Sequence, residues 1–257
     1  GVLRRAGHTE ASMDLSRLAG LKPIGVICEI LAEDGSVARK KDLELFAEKH
    51  DLKILAISDL IRFRRRSENL IKKIESVKLP TPYGKFDFHL FEEVFEGHEH
   101  IALTFGKINK NEKVMVRVHS ECLTGDVFHS ERCDCGQQLD FALREISKNG
   151  SGILVYLKQE GRGIGLKHKI KAYKLQEEGL DTVEANKKLG FEPDLRDYGI
   201  GAQILHFLNA RKLILLTNNP MKLIGLEGHG LEIVGRFPVD IEANENNREY
   251  LATKKEK

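Results

Sequence analysis

Three of the chain's four cysteines lie close together in "HSECLTGDVFHSERCDCGQQL", at Cys122, Cys133 and Cys135. Ten residues separate the first two, and one residue separates the last two. A one-residue gap gives poor disulfide geometry, and a thioredoxin-type pair has two intervening residues. Zinc accepts several thiolates in a tetrahedron at about 2.3 Å. The spacing therefore favours a zinc site over a disulfide or a redox pair.

Such a zinc site can be catalytic or structural, and the spacing alone leaves both open. Three protein ligands leave one tetrahedral position for a water, whose pKa zinc lowers toward about 7. A fourth ligand, His119 or His129, would close the site and make it structural. The remaining cysteine, Cys28, lies in an apolar segment, where we expect a buried and unreactive thiol.

Two turns that follow predicted strands are candidates for binding a nucleotide. "KQEGRGIGLKHKI" opens a helix, where backbone N–H groups can hold phosphate, and Arg162, Lys167 and Lys169 add positive charge there. "TNNPMK", from Thr217 to Lys222, is a second turn of this kind. Neither pattern is specific by itself. Beside a zinc-activated water, they suggest hydrolysis of a nucleotide.

The elements that must position these residues predict an α+β or mixed α/β fold, with a mixed sheet and helices. Apolar and polar residues alternate in "KFDFHLFEEV" and "HIALTFGKI", which predicts paired antiparallel strands, and "EKVMVRVHSE" continues that sheet. Further strands are predicted at "GILVYLKQE", "KLILLTNNP" and "LEIVGRF". Helices are predicted at "CGQQLDFALREISKNG", "GLKHKIKAYKLQEEGL" and "RDYGIGAQILHFLNA", with Gly150 ending the first.

The first part of the chain predicts a separate, partial α/β domain, residues 1–75. "IGVICEIL" predicts a buried strand, and "SVARKKDLELFAEKH" predicts an amphipathic helix from Ser36 to His50. Two prolines and a glycine in "LPTPYG", from Leu79 to Gly84, indicate a domain boundary. The second domain is therefore predicted at 79–257.

Composition excludes several classes of protein. The net charge is +2, with 31% charged and 41% hydrophobic residues, which is an ordinary globular balance. No apolar run reaches the roughly 20 residues that span a bilayer, so no membrane association is expected. Four cysteines are too few for a disulfide scaffold, which favours a reducing cytosol. The basic run "RFRRRSENLIKK" predicts a solvated helix face, because stacking aromatics are not interleaved beyond Phe63, and no nucleic-acid partner is expected.

Several motifs from about Leu79 onward together resemble one family. "RVHSECLTGD", "RCDCGQQL", "QEGRGIGL", "DTVEAN", "LRDYGIG" and "LLTNNPMK" occur in the order found in GTP cyclohydrolase II. The resemblance implies that GTP is opened at C8 with release of formate and pyrophosphate. The product would be a diaminopyrimidinone ribosyl monophosphate, made at the first step of riboflavin biosynthesis. Zinc is implied as the resident metal, and magnesium is expected to accompany the triphosphate.

The resemblance also implies roles for individual residues. Cys122, Cys133 and Cys135 would bind zinc. Tyr173 would lie near the reacting base, Asp194 would accept a proton, and Arg196 would attack the α-phosphate. The GTP site would be lined by Arg117, Val118, His119, Ser120, Glu121, Gln138, Glu160, Gly161, Arg162, Thr182, Thr217 and Lys222.

Plainer roles exist for these residues. A charged guanidinium is a poor nucleophile, so Arg196 can instead clamp the α-phosphate. Asp194 can cap a helix N-terminus, and Tyr173 can be a core aromatic. Thr217 and Lys222 can serve a turn and a solvated helix face. Their joint fit to one family favours the functional interpretation.

The first segment, "RRAGHTEASMDLSRLAGLKPIGVICEIL", resembles the later part of 3,4-dihydroxy-2-butanone 4-phosphate synthase. That family acts on ribulose 5-phosphate with magnesium and is often fused ahead of the cyclohydrolase. The resemblance implies that His8 binds metal, that Arg5 to Thr9 form a substrate loop, and that Glu29 is catalytic.

The family's N-terminal half, with its acidic metal-binding loop, is not in this chain. Magnesium prefers several oxygen ligands, which His8 and Glu29 do not supply alone. We therefore expect no synthase activity from this chain, exposed apolar surface at "IGVICEIL", and an origin in a longer bifunctional protein. An assay with ribulose 5-phosphate tests the first expectation.

The alternative function is a non-catalytic zinc module of a bifunctional riboflavin enzyme. The presence of Tyr173, Asp194 and Arg196 argues against it, because a binding module has no need of all three. A zinc-dependent nucleic-acid binder is a third class, which the small net charge argues against. The family resemblance implies a homodimer, in the cytoplasm or in a plastid stroma.

Overall fold

The computed structural model describes residues 1–32, 34–191, 196, 198–218 and 230–248. The chain divides into two compact units, Gly1–Asn69 and Leu70–Lys257, and each is described by itself.

The second unit is built on a seven-stranded mixed sheet with strand order β1-β2-β3-β5-β4-β6-β7. β1, β2, β3 and β5 pair antiparallel, whereas β5, β4, β6 and β7 run parallel. The mixed α/β fold expected from the sequence is therefore confirmed. The strands are β1 (Ile71–Thr81), β2 (Gly84–Glu93), β3 (Glu99–Phe105), β4 (Lys113–Ser120), β5 (Gly152–Leu157), β6 (Lys212–Leu216) and β7 (Glu232–Phe237).

Burial explains the sequence patterns of these strands. β3 alternates buried and partly exposed residues, as expected for a strand with one covered face. β4 and β5 are buried along almost their whole length. β5 is a nearly continuous apolar run, whereas β4 also buries the polar side chains of Arg117 and His119. These two strands and β6 are parallel neighbours, so their carboxyl ends lie at the same edge of the sheet.

Helices cover this sheet. Helices α1 to α3 lie in the first unit and are described below. The described residues of the second unit form α4 (Leu123–Asp126), α5 (Cys135–Lys148), α6 (Gly165–Glu177), α7 (Thr182–Lys188) and α8 (Gly199–Phe207). In α5, Ala142 and Ile146 lie one turn apart and are fully buried with Phe86 and Leu154. α5 ends as predicted before Gly150, whose φ of +76° favours glycine.

The prolines and glycine of "LPTPYG" form a hairpin turn and not a linker. Thr81 pairs with Gly84 across the turn, and the Thr81 hydroxyl donates to the Gly84 carbonyl at 2.8 Å. Pro80 is tolerated because β1 is an edge strand, where a missing N–H costs little. The two units instead divide between Asn69 and Leu70, before the predicted boundary. Turn residues mark hairpins and linkers alike, which explains the difference.

The first unit contains three helices among its described residues: α1 (His8–Leu18), α2 (Lys40–Lys49) and α3 (Ile57–Ser67). α2 lies inside the predicted helix. The buried strand predicted at "IGVICEIL" is wrong: the segment forms no strand apart from an isolated Leu31–Val37 bridge, and Val26 is 98% exposed. Cys28 is exposed as well, so the expected burial of its thiol is also wrong. An apolar segment becomes a buried strand only where other parts of the fold pair with it and cover it. The second prediction for this segment, that its apolar surface would be exposed, is confirmed.

The basic run of α3 is not entirely a solvated face. Arg64 is buried, and its guanidinium donates to Asp14 at 2.7 Å and to Glu68 at 2.5 and 2.6 Å. The hydrogen bond to Glu68 raises the pKa of Arg64, against the effect of burial. This residue therefore joins α3 to α1. None of the described helices is long and apolar enough to cross a bilayer.

Candidate metal centre and substrate site

The site lies where the parallel strands end. Ser120 of β4 is paired with Leu157 of β5, and the backbone N–H of Glu121 donates to the Leu157 carbonyl at 2.8 Å. The chain leaves β4 into the first cysteine, leaves β5 into the glycine-rich turn, and leaves β6 into Thr217. Carboxyl ends of parallel strands are where such sheets bind ligands.

The three predicted ligands come together. The sulfur atoms of Cys122 and Cys133 are 3.7 Å apart, and all three sulfurs lie within 4.8 Å of one another. A tetrahedral zinc with Zn–S of about 2.3 Å separates its sulfurs by about 3.8 Å, so the donor set fits zinc. Among the described residues no histidine joins this group, and the Nε2 atom of His119 instead contacts Asp126 at 3.0 Å.

The local structure explains how the cysteines converge. Cys122 caps α4 directly after β4, and Cys135 is the first residue of α5. Gly125 of α4 lies against the cluster, where an added Cβ would be 2.8 Å from the Cys133 sulfur and 3.2 Å from the Cys122 sulfur. The sulfur atoms therefore occupy the space that a side chain at Gly125 would take.

The thiols differ in acidity because they are coupled. Hydrogen bonds from Cys133 and Cys135 lower the pKa of Cys122, and the ammonium of Lys169 lowers it further. The same hydrogen bond to Cys122 raises the pKa of Cys133 to about 11. A metal binds cysteine as the thiolate, so metal binding at this cluster would release the thiol protons.

The segment from Cys122 to Cys135, which carries the three cysteines, is called the metal loop below. A buried lysine and a buried glutamate connect this loop with the glycine-rich turn. The Lys169 ammonium donates to the Cys122 sulfur at 3.1 Å, to Thr124 Oγ1 at 2.9 Å and to Glu160 Oε1 at 2.7 Å. Glu160 Oε2 accepts from the backbone N–H of Leu123 at 2.6 Å. Burial alone would lower the pKa of Lys169, but the hydrogen bond to Glu160 and the Cys122 charge raise it.

Asp126 joins the backbone of the metal loop to side chains of the neighbouring strands. Its Oδ2 atom accepts from the Cys122 backbone N–H at 2.9 Å and from the Tyr156 hydroxyl at 2.8 Å, and Oδ1 contacts His119. The Asp126 side chain is only 3% exposed. Burial and the bond to Asp126 raise the pKa of Tyr156, so its hydroxyl stays a donor. The loop backbone is thereby fixed to β5.

Arg117 and Ser120 present polar atoms that the described residues leave without a hydrogen-bond partner. Arg117 donates to the Leu216 carbonyl at 2.9 Å and to Gln138 Oε1, but its buried Nε has no partner in the described part of the chain. The buried Ser120 hydroxyl likewise has none there. Buried polar atoms are normally paired, so these two suit a bound ligand. Burial lowers the pKa of Arg117.

The glycine-rich turn is a short 3₁₀ segment, Glu160–Gly163, between β5 and α6. Its φ angles are +63° at Gly161, +61° at Arg162 and +92° at Gly163. Glycine adopts such values freely, whereas Arg162 does so at a cost of order 1 kcal/mol. Strain of this kind is concentrated at ligand sites. The turn precedes α6, whose first N–H groups suit an anion.

Tyr173 lies beside the metal loop, as its predicted role requires. Its hydroxyl is 3.4 Å from Thr124 Oγ1, and the Arg132 guanidinium is 5.0 Å from the centre of its ring. Burial raises the pKa of Tyr173, which keeps the phenol protonated near neutral pH.

The other site residues that were predicted in this unit belong to several different elements of the fold. Thr217 is buried directly after β6, and its N–H donates to the Phe237 carbonyl at 3.1 Å. Thr182 begins α7 and accepts from Gln176 at 3.2 Å. The Arg196 guanidinium is 5.8 Å from the Tyr198 ring. Burial of Glu121, with the nearby Glu160, raises the pKa of the Glu121 carboxyl.

One predicted residue lies in the core, and two others fall outside the part of the chain that the structure describes. Val118 is buried in β4, and its side chain lies near Gly201 of α8, so it contributes to the core. Asp194 and Lys222 lie outside the described residues.

The predicted synthase residues lie in the first unit. His8 begins α1 and is exposed, as is Glu29. Arg5 pairs with Glu10 at 3.3 Å, and the Thr9 carbonyl accepts from Ser12. Neither His8 nor Glu29 belongs to a metal-ligand cluster in the described part of the chain.

Sequence analysis gave two residues, Asp126 and Lys169, no part in the metal site. Asp126 lies inside the "RVHSECLTGD" motif, and Lys169 was expected only to add charge near a phosphate. A buried acid or lysine is not visible in a sequence, because its burial depends on distant segments. The motif that contains Asp126 was the one available signal.

Together, the fold and the site define a class: a mixed α/β protein with a cluster of three cysteines that could hold a metal, beside a glycine-rich turn at the ends of its parallel strands. The sequence profile of the GTP cyclohydrolase II family matches residues 72–238, which is more than half of the chain. The chain belongs to this family. The profile of 3,4-dihydroxy-2-butanone 4-phosphate synthase matches residues 1–63.

Individual relatives agree with both profiles. The chain is 61% identical to the riboflavin biosynthesis protein RibBA of Aquifex aeolicus over 258 residues, and 57% identical to that of Bacillus cereus over 254 residues. It covers 64% of the length of each, while 100% and 99% of this chain is matched. Both relatives are named as riboflavin biosynthesis proteins, and this chain spans a little under two thirds of their length.

One solved structure is also similar. It is RibBX of A. baumannii, described as a two-domain 3,4-dihydroxy-2-butanone 4-phosphate synthase, with 33% identity and a TM-score of 0.57. The match covers 94% of this chain and 61% of that one.

Proposed function

We propose that the second unit hydrolyses GTP to 2,5-diamino-6-ribosylamino-pyrimidinone 5'-phosphate, formate and pyrophosphate. One observation carries the proposal: three sulfur atoms converge, and the Lys169 ammonium links one of them, that of Cys122, to Glu160 of the glycine-rich turn, inside the region that matches the cyclohydrolase family. A metal beside a phosphate-binding turn is what attack on a nucleotide base requires. Magnesium is proposed to accompany the triphosphate.

The metal of this proposal is zinc, held by Cys122, Cys133 and Cys135. When bound, it supplies a Lewis acid that acidifies water at an open coordination position. Lys169 balances the thiolate charge, and Asp126 fixes the loop backbone. Cys122 and Cys133 are buried, which limits the access of other water to their sulfur atoms.

The remaining residues orient GTP and move protons. Arg117 Nε and Ser120 Oγ offer unused polar atoms to the base or ribose. Tyr173, protonated and beside Thr124, can donate a proton to the opening ring. Arg162 and the N-terminus of α6 attract phosphate oxygens. Arg196 is assigned to the α-phosphate, as nucleophile or as electrostatic clamp.

The test is turnover of GTP by the purified protein with zinc and magnesium, following formate, pyrophosphate and the pyrimidine together. We expect all three products in equal amounts. Removal of metal with a chelator should abolish all of them, and added zinc should restore them. A folded, zinc-loaded protein that releases none of the three would refute the proposal.

A second candidate, a non-catalytic zinc module, is favoured by one observation. The similar RibBX protein is described only as a synthase, although the match to its structure covers 94% of this chain. Under this alternative the protein would bind zinc without turning over GTP. The same assay, combined with a zinc determination, separates the two candidates.

We propose that the first unit, residues 1–69, is a partial synthase domain without activity of its own. His8 and Glu29 are exposed and lie in no metal-ligand cluster of the described residues. We expect no product from ribulose 5-phosphate and magnesium under conditions in which GTP is consumed. Product formation at ordinary enzymatic rates would show that the unit is complete enough for catalysis.

A further inference from the structure

Lys169 is the one described lysine that contacts the sulfur cluster. It lies in α6 and is 7% exposed, whereas Lys167 and Lys171 of the same helix face solvent. Its ammonium has three N–H donors, and these meet three acceptors, at 3.1, 2.9 and 2.7 Å. A buried ammonium is costly unless its donors are satisfied, and here they are.

The three acceptors belong to three parts of the site. The first is the sulfur of Cys122, a metal ligand. The second is Thr124 Oγ1, which neighbours the Tyr173 hydroxyl at 3.4 Å. The third is Glu160 of the glycine-rich turn, whose other oxygen holds the Leu123 backbone. One ammonium therefore joins the cysteine loop, at Cys122 and Thr124, to Glu160 of the glycine-rich turn, and Thr124 in turn neighbours Tyr173.

If Lys169 only stabilised the fold through an ion pair, contact between its ammonium and the Glu160 carboxylate would be enough. The Lys169 ammonium is also aimed at a sulfur atom, where a positive charge offsets the charge of a thiolate. Groups that contact metal ligands in this way orient them, and their loss commonly costs about 10- to 100-fold in metal affinity. The geometry thus gives Lys169 a task at the metal that neither Lys167 nor Lys171 can perform.

We propose that Lys169 is a positioning residue of the metal centre, which fixes the Cys122 thiolate and couples it to the glycine-rich turn through Glu160. The inference rests on the proposed function only in requiring that the cysteine cluster binds metal. It does not require that GTP is the substrate.

The test compares the parent chain with Lys169→Met, and with Lys171→Met as an exposed control on the same helix. Zinc affinity is measured by competition with a chromogenic chelator, and cobalt substitution reports the sulfur-to-metal charge-transfer band. We expect Lys169→Met to weaken zinc binding about 10- to 100-fold. Its cobalt band should move to lower energy, because the nearby positive charge no longer stabilises the sulfur electrons. Lys171→Met should match the parent in both readouts.

A second variant guards against misfolding, since Lys169→Met alone leaves the Glu160 carboxylate buried without its cation. The double variant Lys169→Met with Glu160→Gln removes both charges and keeps an acceptor for the Leu123 backbone. It should show the same shift of the cobalt band. Circular dichroism establishes which variants are folded.

Unchanged zinc affinity and an unchanged cobalt band in either folded variant would overturn the inference. A parent chain that binds neither metal would overturn it together with the proposed function. A parent that binds metal without turning over GTP would refute the proposed reaction alone, and the Lys169 comparison would still decide the inference.

Discussion

Replacement of Cys133 by serine is expected to abolish both zinc binding and GTP turnover. The Cys133 sulfur is 3.7 Å from that of Cys122, and its loss leaves two of the three thiolates. A serine hydroxyl ionises far less readily and is a poor zinc ligand. The fall in kcat/KM should exceed the roughly 100-fold that loss of an outer-sphere partner costs. Zinc content and product formation are measured on the same preparation.

Cys28→Ser is the matched control for this substitution. Cys28 is an exposed thiol of the first unit, so its replacement should leave zinc content and turnover unchanged. A folded Cys133→Ser protein that keeps one equivalent of zinc and full turnover would show that the cluster is not the metal centre. Loss of turnover with zinc retained would point to a role for Cys133 in the chemistry itself.

Asp126→Ala is expected to destabilise the second unit by about 3 kcal/mol and to weaken metal binding. The substitution leaves the Cys122 N–H and the Tyr156 hydroxyl without their acceptor, and each buried unsatisfied group costs about 1–3 kcal/mol. The contact between His119 and Asp126 is lost as well. Because the loop backbone at Cys122 is then released, zinc affinity should fall together with stability.

Tyrosine fluorescence is a suitable probe for this measurement. The chain has no tryptophan, and all five tyrosines follow residue 70, so the signal reports on the second unit during urea unfolding. Asp87→Ala is the control, because Asp87 forms a partly exposed ion pair with Lys78 that is worth about 1 kcal/mol or less. A loss below about 1 kcal/mol for Asp126→Ala would contradict the proposed support of the metal loop.

Local sequence was sufficient for most elements of the second unit. β5 was predictable because a strand buried on both faces is apolar along its length, and β4 was predictable as a continuation of the alternating strands before it. α5 was predictable because its apolar spacing and the glycine at position 150 describe one helix from start to end. The cysteine spacing indicated a metal site, since two thiols one residue apart can share a metal but not a disulfide.

Local sequence patterns gave wrong predictions where the structure of a segment depends on its contacts with other segments. "IGVICEIL" has the composition of a buried strand, but in the described structure no neighbouring strand covers it and Val26 is exposed. "LPTPYG" has the composition of a linker, yet it connects β1 and β2, because the same residues that break a helix also close a hairpin. Arg64 appeared in a basic run but is buried against Asp14, fifty residues away in sequence.

By itself, the sequence determined the class of element at most positions, the donor atoms for a metal, and the motifs of the cyclohydrolase family. Only the tertiary structure decided that β5 lies between β3 and β4, which brings the ends of β4, β5 and β6 to one edge. Only it decided that Lys169 contacts the Cys122 sulfur and that Asp126 accepts from the Cys122 backbone. Composition and periodicity are local properties of the chain. Strand order and the burial of a charge depend on contacts between distant segments, which no local pattern contains.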